Sequence, residues 1–192
     1  MTTREAIQIL MPLLSGEILI CTTGYVSRDV CAVKDRPQNF YMIGSMGLAP
    51  AIGLGITSAS PGKKVVIFDG DGALLMGLGV LPMVGSSNPC HFFHVVFDNE
   101  SYASTGHQWT YSKKVPLEKL AANCGYHDAA RVDSIAALEE TAADLLKKRG
   151  ARFLLIKCTG DKEAFKGEKL VSPRVPWPPE EMTNRLKKVL LS

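Results

Sequence analysis

Two hydrophobic rhythms alternate along the chain. Short, nearly unbroken apolar runs at 17–22, 40–43, 63–68, 92–97 and 153–158 read as strands. Between them, apolar positions recur at helical spacing. Helices are predicted over 3–15, with Ile7, Leu10 and Leu14 on one face, and over 26–33, 48–59, 73–85, 117–123 and 134–148. Pro82 should disturb the fourth of these, Gly125 should close the fifth, and Asp133 or Ser134 should cap the last. Such alternation predicts an α/β fold: a doubly wound, mostly parallel sheet with helices on both faces. Ligands of such folds sit beyond the carboxyl ends of the strands. Gly24, Gly44, Gly70 and Asn99 each follow a predicted strand, so they should converge on that edge.

The pattern changes after Cys158. Residues 159–169 are polar and charged, Pro173, Pro176, Pro178 and Pro179 surround Trp177, and 180–191 read as a helix carrying Met182, Leu186, Val189 and Leu190. We expect one domain over 1–192, with 170–192 as a Pro-rich segment and C-terminal helix. That tail suits either a subunit interface or its own domain. There is no internal repeat.

Composition narrows the class. A 46% apolar content supports a packed core, yet no apolar stretch approaches the length of a membrane helix. The first residues lack the pattern of a signal peptide. Five cysteines without a Cys-x-x-Cys pair predict reduced, mostly buried thiols in a cytoplasmic protein. The net charge of +3 is small and dispersed, so neither nucleic acid nor a membrane is expected as a partner.

The candidate chemistry centres on Gly70-Asp71-Gly72, between the apolar run 65–68 and the helical run 73–76, with Asn99 placed 28 residues beyond Asp71 after a second strand. Neighbouring strand ends would bring the Asp71 carboxylate near the Asn99 amide oxygen. These hard oxygen donors suit Mg²⁺ or Ca²⁺ better than zinc. The glycines allow a phosphate to approach the backbone, and the following helix offers free N–H groups. An EF-hand loop fails because Val80 stands where a bidentate Glu is required, and a dinucleotide fingerprint fails because Leu75 replaces its third glycine. A plain strand-to-helix turn remains the simplest alternative.

Residues 39–47, 70–76 and 98–106 together resemble the thiamine-diphosphate (ThDP)-dependent 2-oxo acid decarboxylases, over roughly 16–160 of the chain. The pattern is closest to the subgroup acting on sulfopyruvate and phosphonopyruvate, and within it to a separate β subunit. The resemblance implies Mg²⁺ held by Asp71, the Asn99 side chain and the Ser101 backbone carbonyl. It implies diphosphate contacts from Gly70, Gly72 and Ala73, and a Gly44 carbonyl bonded to the 4′-amino group of ThDP. Ser45 and Tyr102 belong to the same two motifs, and Thr23-Gly24-Tyr25 matches a loop near the pyrimidine ring. Met46 would be the apolar wedge that holds the two ThDP rings bent. Ordinary core filling by Met46, and ordinary turns at Gly44 and Gly47, are the competing readings.

Family members activate ThDP with a Glu on a separate pyrimidine-binding domain. The roughly fifteen residues before the first strand cannot supply such a domain of ~100 residues, and Glu5 and Glu17 lack the matching context. A separate pyrimidine-domain (α) subunit is therefore expected, in an α₂β₂ or larger assembly. A sulfonate or phosphonate on the substrate calls for cations. Arg28, His107, Lys113 and Lys114 lie near the predicted edge. His107 is a candidate catalytic proton donor or substrate contact, at a position where the subgroup carries a small residue. A carboligase of the acetolactate synthase kind and a non-catalytic regulatory subunit are the alternative functions.

Overall fold

A computed structural model describes residues 1–159 and 173–191. The elements run α1 (Thr3–Leu10), β1 (Ile18–Cys21), α2 (Tyr25–Lys34), β2 (Asn39–Tyr41), α3 (Ala49–Ala59), β3 (Val65–Gly70), α4 (Asp71–Met76), α5 (Val80–Ser87), β4 (His91–Asp98), α6 (Leu117–Asn123), β5 (Asp128–Val132), α7 (Ile135–Lys147), β6 (Gly150–Lys157) and α8 (Pro179–Leu191). The expectation for the polar stretch 159–169 lies almost wholly outside the described residues, as do 170–172 and 192 of the tail.

The six strands form one sheet in the order β2-β1-β3-β4-β6-β5, every pair parallel. The chain moves outward from β1 to β2 and then crosses to β3 on the other side of β1. This reversal opens a crevice at the carboxyl ends of β1 and β3. The strands alternate between two cores. Leu19, Cys21, Val66, Phe68, Val95 and Phe97 pack against α1, α2 and α7, whereas Ile20, Ile67, Phe92, Val96 and Phe153 pack against α3 to α6. Both faces are dry, which is why the strands read as continuous apolar runs.

Local chemistry sets the element ends. Thr2 and Glu5 form a reciprocal capping box at α1, with Glu5 N–H donating to Thr2 Oγ1 at 3.2 Å and Thr2 N–H to Glu5 Oε2 at 2.7 Å. That helix stops at Leu10, earlier than its pattern predicts, and a 3₁₀ turn containing Pro12 follows. Ser134 caps α7 by accepting from Ala137 N–H. The helix predicted over 73–85 divides at Gly77-Leu78-Gly79 rather than at Pro82. Pro82 is the third residue of α5, where no intrahelical N–H partner is lost. Strand β5 was not anticipated. It is a half-buried edge strand whose Asp-Ala-Ala-Arg-Val carries little apolar signal.

Two buried arginines saturate main-chain carbonyls. Arg36 donates to Leu14 O and Glu17 O, both at 3.1 Å, and Arg152 donates to Leu145 O at 2.6 Å at the end of α7. All five cysteines are free, but only Cys21 and Cys158 are buried; Cys90 is exposed, which corrects the expectation of mostly buried thiols. Among the described residues no helix is long and apolar enough to cross a membrane.

The tail segment 173–191 docks on its own sheet. Met182 and Leu186 are buried, one in each core. Asp35 accepts from Trp177 Nε1 at 3.2 Å, and both its oxygens accept from Arg185 Nη2, at 2.9 and 3.0 Å, while the Arg185 guanidinium stacks 4.4 Å from the Trp177 ring.

The contact between α5 and the end of α6 is backbone on backbone. A Cβ at Gly85 would stand 1.8 Å from Cys124 O, so the helices must part to admit one. Gly85→Ala should lower unfolding free energy by about 2 kcal/mol or more through overpacking, read as a reduced urea midpoint.

Candidate active site

A cleft opens at the carboxyl ends of β1, β3 and β4. Its walls include Thr23, Tyr25, Met46, Gly70, Asp71, Gly72, Ala73, Asn99, Ser101 and Tyr102, so ten of the sequence-derived residues meet there. Gly44 and Ser45 flank Met46 without lining the cleft, Gly24 faces a neighbouring pocket, and His107 lies outside the lining of both. His107 sits in a tight turn with φ 55°, its N–H donating to Tyr102 O at 3.2 Å.

Strand β3 runs directly into α4, so Asp71 is the first helical residue and Gly72 and Ala73 carry amides without intrahelical partners. Asp69 fixes the entry by accepting Gly70 N–H at 2.9 Å, and its other oxygen faces buried His94 at 3.4 Å, which meets Tyr126 Oη at 3.2 Å. Gly70 has open space where a Cβ would project, leaving room for a bound group. A Cβ on Gly72 would stand 2.5 Å from the Tyr102 ring, so that ring packs directly on the turn.

Met46 is placed by an equally close contact. Gly47, at φ +94°, lies against Gly77, where a Cβ would fall 2.3 Å from Gly47 O. The loop after β2 thus rests on the end of α4 and turns Met46, half-buried, into the cleft. Thr23 Oγ1 donates to Ile43 O at 3.0 Å and ties the β1 loop to it.

Asp71 is almost fully buried, and no lysine or arginine pairs with it among the described residues. Instead Thr110 Oγ1 donates to Asp71 Oδ2, and Ser112 Oγ lies 3.1 Å from the same oxygen, 2.7 Å from Asp98 Oδ1 and 2.8 Å from Thr110 Oγ1. Two hydroxyl hydrogens therefore serve two carboxylates. Asp98 also takes the Lys157 ammonium at 2.8 Å, which Glu100 shares at 2.7 Å. Asp71 is left with uncompensated charge. Burial pushes its carboxyl up; Thr110 opposes this, Asp98 adds to it, and Ser112 and Gly72 N–H oppose it, leaving the value at about 6.

The β4 loop supplies neutral oxygens to the same cleft. Asn99 Oδ1 accepts Ser101 N–H at 3.0 Å. Ser101 pairs antiparallel with Trp109, flanked by Tyr102 N–H to Gln108 O at 2.9 Å and Thr110 N–H to Glu100 O at 3.1 Å. Those bonds occupy the Trp109 side, so the N–H and C=O of Ser101 both point away from Trp109, and the N–H meets the Asn99 amide oxygen. The hydroxyls of Thr22 and Ser101 are buried in the cleft wall without an intramolecular partner. A buried unpaired carboxylate, two neutral oxygens, an open Gly70 and orphaned hydroxyls fit a cation with a bound oxyanion. Thr22, Thr110 and Ser112 escaped sequence reasoning, since isolated hydroxyls in polar stretches carry no periodic signal.

The family model for the thiamine pyrophosphate enzyme C-terminal TPP binding domain matches residues 22–156. The chain belongs to this family. As a ThDP-binding domain it is 39% identical over 142 residues to the sulfopyruvate decarboxylase subunit beta of Methanocaldococcus jannaschii, covering 73% of this chain and 74% of that one. It is 42% identical over 132 residues to the phosphonopyruvate decarboxylase of Streptomyces viridochromogenes, covering 69% of this chain but 33% of that longer protein. The benzoylformate decarboxylase structure from Polynucleobacter necessarius superposes with a TM-score of 0.69 at 17% identity, over 82% of this chain and 33% of that one. The predicted α/β architecture is thus the fold of this ThDP-binding domain.

The raised Asp71 carboxyl has a defined consequence. Its folded value of about 6 exceeds the ordinary 3.8, so the folded state holds the proton more tightly. Without metal, folding stability should fall as pH rises from about 4 to about 6 and stay lower above, by about 3 kcal/mol in all. Asp71→Asn should lack this decline. Urea melts of parent and variant in chelator-treated buffer between these pH values check it: the variant's relative stability should grow with pH.

Proposed function

We propose that this chain is the diphosphate-binding subunit of a two-subunit, ThDP- and Mg²⁺-dependent decarboxylase that converts sulfopyruvate or phosphonopyruvate to an aldehyde and CO₂. The observation that carries this reading is that Asp71, Asn99 and Ser101 line one cleft, with the Ser101 carbonyl turned away from its strand partner Trp109. The likeness to a sulfopyruvate decarboxylase subunit beta over most of its length supports the substrate class and the split architecture.

ThDP, when bound, supplies the electron sink for loss of CO₂ from a 2-oxo acid. The chain binds and orients it. Asp71, Asn99 and the Ser101 carbonyl hold Mg²⁺ against the diphosphate, with Gly72 and Ala73 N–H groups on its oxygens. Met46, placed by the Gly47–Gly77 contact, would support the bent ring pair of ThDP. Ile43, Leu48, Met76, Trp109 and Tyr111 are exposed on the segments that follow β2, β3 and β4. They suit contact with the pyrimidine-domain subunit that closes the site and excludes water. Two such pairs form the expected α₂β₂ assembly, in the cytoplasm.

Purified with its partner, ThDP and Mg²⁺, the chain should release CO₂ from sulfopyruvate or phosphonopyruvate; alone it should release none. Full activity of the isolated chain would refute the split site. Calorimetry of ThDP with Mg²⁺ should show a large loss of affinity for Asp71→Ala and Asn99→Ala. Met46→Ala should lower kcat by roughly 10- to 100-fold at saturating ThDP through lost orientation, whereas Met46→Leu should keep most of it. Equal turnover by both would remove the wedge role.

A further inference from the structure

A second pocket adjoins the cleft on its β2 side, and Thr23 and Ser104 line both. The two spaces have opposite electrostatic character. The cleft is lined by the acids Asp29 and Asp71, whereas no carboxylate lines the side pocket among the described residues, and Arg28 and Arg174 both do. We propose that Arg28 and Arg174 form an oxoanion subsite that takes the distal sulfonate or phosphonate of a short 2-oxo acid and so sets substrate choice. The proposal rests on the decarboxylase reading given above for the reaction, but on the side pocket alone for the anion.

Several features make this a built arrangement. Arg28 lies one turn into α2, its guanidinium 5.5 Å from the ring of Tyr25, which itself lines the cleft. The cation is thereby steered to the border between the two spaces. Arg174 comes from the far end of the chain. Three residues on, Trp177 is bonded to Asp35 and stacked on Arg185, so the tail delivers Arg174 from a fixed anchor. Met42, Ile43 and Val175 give the pocket apolar walls, which strengthen a charge-assisted contact by lowering the local dielectric. Two arginines lining one space without a carboxylate favour an anion there, and their planar guanidinium forks match the oxygens of a sulfonate or phosphonate. Ile43 precedes Gly44, the residue that the family resemblance pairs with the 4′-amino group of ThDP, so the pocket adjoins the loop that would hold the cofactor.

The experiment has two arms. In the assembled holoenzyme, Arg28→Gln and Arg174→Gln should each lower the ratio of kcat/KM for sulfopyruvate or phosphonopyruvate to that for pyruvate by roughly 10- to 100-fold, mainly through KM. Arg174→Lys should restore part of it. Arg131→Gln, an exposed arginine on β5, controls for lost net charge and should leave the ratio unchanged. An unaltered ratio in both glutamine variants would overturn the subsite while leaving the decarboxylase reading intact. In the second arm, sulfoacetate, which has no ketone to react, is titrated against this chain by NMR. Shifts of Thr23, Gly24 and Ser104 amides that vanish in Arg28→Gln and Arg174→Gln support the subsite even if no 2-oxo acid is decarboxylated. Shifts identical in parent and variants would overturn it.

Discussion

One hydroxyl, that of Ser112, stands between two buried carboxylates, and the site is organised around that shortage of protons. Asp98 is satisfied by Lys157, Ser112 and Glu100 N–H at 3.1 Å, and at the end of β4 it holds the following turn. Asp71 receives hydroxyls but no cation. With Asp98 so provided for, the unmet charge falls on Asp71, the carboxylate that lines the cleft. Thr110 and Ser112 also carry the loop from β4 back over the β3–α4 junction. The same contacts that load Asp71 therefore position Asn99 and Ser101 beside it.

The sheet makes this arrangement affordable. Two continuous cores clamp the strands, and the parallel register aligns Gly70 with Phe97 at the mouth of the cleft. Close backbone approaches then set the loops. Gly47 against Gly77 carries Met46, and Gly72 beneath Tyr102 closes the wall. Such contacts leave little freedom for the loops to drift, so the side chains that would hold a cation and a cofactor are preorganised by main-chain packing rather than by long side-chain networks.

Five strands, the two-sided burial and the Gly70–Asp71–Asn99 core of the site were legible because long apolar runs and strand-end glycines have distinct signatures. The sixth strand was not. An edge strand of Asp-Ala-Ala-Arg-Val is half-buried and lacks the apolar continuity of the inner strands. The break between α4 and α5 was misplaced because Pro82 looked disruptive, whereas a proline in a first helical turn loses no bond, and Gly77 is needed for a close approach that only the folded chain reveals. Thr110 and Ser112 are brought to Asp71 by the turn after β4, and Arg174 to the adjoining pocket by the returning tail. Their roles depend on contacts between distant segments, which periodicity does not encode.

The docking of the tail has a consequence for how copies of this chain avoid one another. Strand β2 is an edge strand of three residues, and α8 lies against it, held through Asp35, Trp177 and Arg185. The short row of unpaired amides and carbonyls there offers little template for another strand. At the opposite edge β5 is short and presents the charged side chains of Asp128 and Arg131. Both margins of the sheet are thus poor places for edge-to-edge polymerisation.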